Sequence, residues 1–206
     1  MLLKDLAIMR KAIFIERDGI LNHCKIENGM QIQPAFAVDF RIKTEAVEPL
    51  MRLKDAGFLI IVITNQPGIS RGYVFWQELE LMHKRLKESF PIDDIYVCPH
   101  DETDECGCMK PKPGLFIDAI YKWKILLRDS FVISDKWQDA NVARALGITS
   151  VMINSPFLHN CRHDFLVNNL KEAVDKVLYL KEHKKRYRLV SYDNCENRIR
   201  FTIGDA

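Results

Sequence analysis

Residues 58–63, FLIIVI, are continuously apolar and rich in β-branched side chains. A strand with no polar alternation is covered on both faces, the condition of a strand inside a parallel sheet with helices above and below. The same kind of short apolar run recurs at 11–15, 95–98, 131–134 and 150–153. Between these runs lie helically spaced segments at 44–56, 76–90, 115–123, 138–146 and 165–183. Thr44 reads as the cap of the first helix and Gly57 as its stop, and Gly147 ends the fourth. Strands that alternate with helices imply right-handed crossovers and a mainly parallel sheet. The expected fold class is therefore α/β, a Rossmann-like three-layer sandwich.

A chain of 206 residues, 48% hydrophobic and 28% charged, supports one domain with a sizeable core rather than a disordered segment. That domain is expected over 1–185. Residues 186–206 read as a C-terminal extension in which two alternating runs flank 193–197, a hairpin pattern. No apolar run approaches membrane-spanning length. Lys4, Asp5 and Arg10 interrupt any signal-peptide core. A cytoplasmic protein with reduced thiols is expected, monomeric and without a membrane partner. Net charge is +2, and the cluster Lys184, Lys185, Arg186 and Arg188 beside a helical pattern reads as a solvated face, so no nucleic-acid partner is expected.

In parallel α/β sheets the active site lies beyond the carboxyl ends of the strands. Three polar clusters fall there: Glu16/Asp18, Thr64/Asn65 and Ser134/Asp135. Hydrolysis of a phosphate monoester needs a nucleophile, a metal for the phosphoryl oxygens, a proton donor for the leaving group and a cation for the remaining charge. Glu16 would serve as nucleophile and metal ligand, and Asp18, two residues on, as acid and base. Thr64 and Asn65 offer hydroxyl, amide and backbone N–H groups to the phosphoryl oxygens. Lys110 supplies the cation and Asp135 a second carboxylate for a hard ion such as magnesium.

These residues sit in stretches that resemble the haloacid dehalogenase superfamily of phosphatases. The resemblance is closer still to the heptose bisphosphate phosphatases and their histidinol-phosphatase relatives. FIERDGILN (14–22) is similar to the first motif, with Glu16 in place of the family's aspartate. VITNQPGISRG (62–72) is similar to the second. MKPKPG (109–114) carries the lysine motif at Lys110, with Met109 where the heptose enzymes have an arginine. ISDKWQDANVARALG (133–147) is similar to the magnesium motif through Asp135 and Asp139. The resemblance spans roughly residues 11–182. It implies a magnesium-dependent phosphatase acting on a small phosphorylated sugar through a covalent acyl phosphate on Glu16. It implies Glu16, Asp18, Asp135 and Asp139 around magnesium, and Asn65, Gln66, Arg71, Lys110 and Lys136 on the substrate. The rival reading is a non-catalytic sugar-phosphate-binding protein. Only 21 residues separate Asn22 from Thr44, too few for a folded cap domain, so the cap is expected to be minimal.

The loop 98–113 contains Cys98, His100, Cys106 and Cys108. Three thiolates and an imidazole suit tetrahedral zinc, and four protein ligands leave no open position, so the site reads as structural. An iron–sulfur centre is the alternative. The loop is poor in apolar residues, and a metal would replace a core and hold Lys110 in place. The similar family carries the same loop arrangement. Cys24, Cys161 and Cys195 read as structural thiols.

Overall fold

The structure, a computed structural model, describes residues 9–183, 187–193 and 198–203. Lys4, Asp5, the basic run at 184–186, Cys195 and, of the turn expected over 193–197, residues 194–197 lie outside those residues. Six strands form one parallel sheet: β1 (Ala12–Ile15), β4 (Leu59–Asn65), β5 (Asp94–Cys98), β6 (Phe131–Ser134), β7 (Thr149–Ile153) and β8 (Phe165–Val167). Their order across the sheet is β5-β4-β1-β6-β7-β8, so β1 lies between β4 and β6.

Alternation along the strands builds the two outer layers. Ile13, Ile15, Ile60, Val62, Phe131 and Ile133 point to one face, where Leu50 of α1 (Val47–Asp55), Met82 of α2 (Trp76–Ser89) and Val174 of α5 (Leu170–His183) cover them. Phe14, Ile61, Ile63 and Val132 point to the other, against Phe116 of α3 (Gly114–Trp123) and Val142 of α4 (Trp137–Leu146). The Phe14 and Phe116 rings lie 4.9 Å apart. Burial on both faces explains why these strands read as unbroken apolar runs. The result is the expected three-layer sandwich.

Two expectations change. The helix read over 165–183 is a short strand followed by α5. Phe165–Val167 adds to the edge of the sheet through Val151↔Phe165 and Ile153↔Val167. Asn169 then accepts from the backbone N–H of Glu172 (2.9 Å), a side-chain cap that starts the helix only there. Thr44 does not cap α1; it opens a 3₁₀ turn, Thr44–Ala46, that leads into the helix without a side-chain cap.

The connection after β1 contains a small antiparallel hairpin, β2 (Lys25–Glu27) and β3 (Met30–Ile32). Asn28 and Gly29 join them with positive φ angles of 50° and 74°, the backbone of a two-residue hairpin turn. Beyond α5, the backbones of β9 (Tyr187–Asp193) and β10 (Arg198–Ile203) pair antiparallel. No helix among the described residues is long and apolar enough to cross a membrane.

Candidate active site

The chain leaves β1 at Ile15 and places Glu16, Arg17 and Asp18, all buried, at the carboxyl end of the central strand. Glu16 Oε2 accepts from Lys110 Nζ. Its Oε1 accepts from the backbone N–H groups of Arg17 (2.8 Å) and Asp18 (3.2 Å). Burial alone would raise the Glu16 carboxyl pKa, but the ammonium groups of Lys110 and Lys136 hold it below the ordinary value. Glu16 is thus an anion in a nest of donors.

Lys110 reaches this point from the loop after β5. Asn65, at the end of β4, clamps its backbone with both amide atoms: Nδ2 donates to Lys110 O (3.2 Å) and Oδ1 accepts from Lys110 N (3.1 Å). Lys110 Nζ also donates to Ile63 O and to both oxygens of Asp139 (2.8 and 2.9 Å). Burial would depress the lysine pKa, and the carboxylates of Asp139 and Glu16 reverse that and raise it. Asp139, expected beside magnesium, accepts from Lys110 Nζ and from Ser134 Oγ (2.8 Å).

Asp18 is surrounded by donors. Arg17 Nη2 reaches both its oxygens at 2.9 Å, Asn22 Nδ2 reaches Oδ1 (3.0 Å), and Gln33 and Gln66 Nε2 reach Oδ2 (3.0 and 2.7 Å). Burial would raise its pKa, but the Arg17 guanidinium beside it holds it low. Gln66 also donates to Thr64 Oγ1 (2.9 Å). Gln66 and Thr64, both expected on substrate, are buried, Gln66 bridging Thr64 and Asp18.

Lys136 Nζ donates to the backbone O of Asp18 (2.8 Å) and to Asp135 Oδ1 (2.8 Å). A carbonyl and a carboxylate here share one cation, close enough to Glu16 for its charge to be felt. This all-oxygen donor set fits a hard divalent ion such as magnesium. The ligand from residue 18 would be its carbonyl, since its carboxylate is taken by Arg17. Burial raises the Asp135 pKa. Gly19 has φ +88°, and a Cβ there would lie 2.4 Å from Gln31 Nε2 and 2.8 Å from Asp135 Oδ2. A side chain at 19 would fill the space these groups share.

The floor opens into a cleft of about 680 Å³, lined by Glu16, Asn65, Arg71, Lys110 and Lys136 among the predicted residues. Arg71 donates from Nε to Asp101 (3.4 Å) and from Nη2 to Glu102.

The four metal-loop residues also converge. The ligand atoms of Cys98, His100, Cys106 and Cys108 lie within 4.8 Å of one another. Sulfur–sulfur separations are 3.6, 3.2 and 3.5 Å, near the roughly 3.8 Å edge of a tetrahedral zinc–thiolate site. Lys110 lies two residues beyond Cys108, so this cluster and the active site are neighbours in the chain.

Sequence reasoning missed the support of Asp18 by Asn22, Gln33 and Arg17. Arg17 Nη1 faces His83 Nε2 at 3.3 Å. Arginine only donates, so Nε2 accepts and the ring is neutral. The signal for Arg17 was its position between two carboxylates; His83 carried none.

Comparison with known proteins agrees with this geometry. The family model described as HAD-hydrolase-like matches residues 107–173. The D-glycero-β-D-manno-heptose-1,7-bisphosphate 7-phosphatase of Helicobacter pylori is 35% identical, over 80% of this chain and 95% of that protein. The enzyme of the same name from Pasteurella multocida is 35% identical over 70% of this chain and 82% of that protein. The D,D-heptose bisphosphate phosphatase of B. bronchiseptica, solved with magnesium and phosphate, superposes with a TM-score of 0.70 at 22% identity. That match covers 82% of this chain and 98% of the other. The chain therefore belongs to the family of HAD-like phosphomonoester hydrolases that these phosphatases represent.

Proposed function

We propose that the protein hydrolyses a small sugar phosphate by attack of Glu16 on phosphorus. The observation that carries this reading is the convergence at the end of β1: an ionised, buried Glu16 held by Lys110, facing a cleft large enough for a metabolite. A Glu16 oxygen forms the bond to phosphorus as the bond to the leaving alkoxide breaks. Asp18, ionised by Arg17 in the free protein, must first take up a proton from solvent; it then gives that proton to the alkoxide and later takes one from the water that cleaves the glutamyl phosphate. Lys110 offsets charge on the phosphoryl oxygens. Magnesium, held by Glu16, the Asp18 carbonyl and Asp135, would supply further charge neutralisation. The sugar-phosphate class is supported by relatives whose names carry a heptose bisphosphate. Zinc at Cys98, His100, Cys106 and Cys108 would be structural.

One observation favours a second reading, a binding protein without turnover. Glu16 Oε1 is already bonded to two backbone N–H groups, and these are donors a phosphoryl group would use. Phosphate release from a panel of sugar phosphates, with and without magnesium, separates the two. Magnesium-dependent turnover that disappears in Glu16→Ala supports the hydrolase. Phosphate-ester binding with no turnover supports the binding protein.

A further inference from the structure

The charges of the cleft bear on what the leaving group can be. Three cationic side chains line it: Arg71, Lys110 and Lys136. Lys110 is consumed by Glu16 and Asp139, and Lys136 by Asp135 and the Asp18 carbonyl. Both sit at the floor, where the scissile phosphate goes. Arg71 alone stands away from the floor, and it is bracketed by Asp101 and Glu102. Asp104 is on the same rim, accepting from Ser70 Oγ (2.7 Å). Of these carboxylates Glu102 lines the cleft, and with Asp101 it already offsets the Arg71 charge there. A surface pair is easily exchanged, but a second phosphate entering here would face the freed carboxylates as well as the cation.

Much of the rest of the wall is apolar. Met30 and Ile32 project from the β2–β3 hairpin, Tyr73 from the loop after β4, Met109 from the metal loop and Trp137 from the start of α4. Met30 and Tyr73 are 62% and 50% exposed, so their side chains are open to a ligand in the cleft. Gln31 and Gln138 add amides without charge.

We propose that the substrate is a monophosphate ester with an uncharged leaving group, whose carbon skeleton lies on Met30, Tyr73, Met109 and Trp137 and whose hydroxyls meet Gln31 and Gln138. This rests on the sugar-phosphatase reading and narrows it: away from the floor, the second phosphate in the relatives' substrate names would meet in this cleft only Arg71, already paired with Asp101 and Glu102.

The test uses the full chain with magnesium and a matched pair, fructose 6-phosphate and fructose 1,6-bisphosphate. Phosphate release gives kcat/KM, and calorimetry gives affinity for the same two esters. The expected result is a kcat/KM at least about tenfold lower for the bisphosphate. Glu102→Gln narrows that gap, and Met109→Arg, which adds a guanidinium to the wall, reverses it. A bisphosphate handled as well as the monophosphate, or better, overturns the proposal. If neither ester is hydrolysed, the hydrolase reading fails while this one is decided by calorimetry: weaker binding of the bisphosphate upholds it, and equal or tighter binding, or no binding of either, overturns it.

Discussion

A glutamate at position 16 extends one methylene farther than the aspartate of the family motif, and the structure accommodates it by folding the carboxylate back on its own backbone. Oε1 meets the N–H groups of Arg17 and Asp18 while Oε2 keeps Lys110. Charge is therefore preserved and the change is geometric. The added methylene moves the attacking oxygen by on the order of 1 Å, and a misplacement of that size can cost about 10²-fold in rate. Glu16→Asp is expected to raise turnover at least about tenfold, through kcat more than KM. Steady-state kinetics on any sugar phosphate the protein accepts checks this; a variant no faster than the parent removes Glu16 from the role of nucleophile. The carboxylates themselves were readable in the sequence because they follow apolar runs that could only be buried strands. Their division of labour was not. Asp139 shares Lys110 with Glu16 because α4 turns its first-turn carboxylate toward Ser134 and the lysine, and no spacing rule encodes that choice.

Among the elements, those with long two-sided burial were legible and those at the margins were not. β4 and α2 carry enough periodic residues to declare themselves. β8 has three residues and exists because β7 offers it an edge; before the cap at Asn169 it looks like the first turn of α5. The β2–β3 hairpin was not read from the sequence, although Asn28–Gly29 is a pair that favours positive φ at both positions; it contributes Met30 and Ile32 to the cleft. The metal loop is the element whose stability is least its own. Its cysteines and histidine stand in for a core, and Asn65 ties its end to β4. One zinc per chain is expected in protein purified without added metal. Cys106→Ser should remove it, lower stability by on the order of 3 kcal/mol or more, and expose the amides around Lys110 to hydrogen exchange. Elemental analysis with exchange measurements checks this. A metal-free protein in which those amides stay protected would remove the metal from the loop's account.

Across the whole molecule, a chain of side chains links the helical layer to the active-site floor: His83 on α2 accepts from Arg17, and Arg17 grips Asp18. Arg17 is fully buried, with Phe40 5.6 Å from its guanidinium carbon. The groups whose charges reach His83 are Arg17, Asp18 and Lys87, while Glu80, Lys84 and Glu88 share its outer surface. Burial, and then the adjacent Arg17 charge, push the imidazole pKa down from 6.5 to about 3. The folded state therefore binds this proton less readily than the unfolded chain. Stability is complete above the unfolded value near 6.5 and falls as pH drops from there toward 3. At pH 5 the loss from this one group is about 2 kcal/mol, a drop of about 4–8 °C in Tm for a chain of this size. The low pKa values of Glu16 and Asp18 act in the same direction but only at more acidic pH, below the ordinary carboxylate range. His83→Gln keeps an acceptor for Arg17 and removes the titration. Thermal unfolding between pH 7.5 and 5 should show a shallower slope in that variant than in the parent. Parallel slopes would mean that His83 opens to solvent and takes up its proton without disturbing the grip of Arg17 on Asp18.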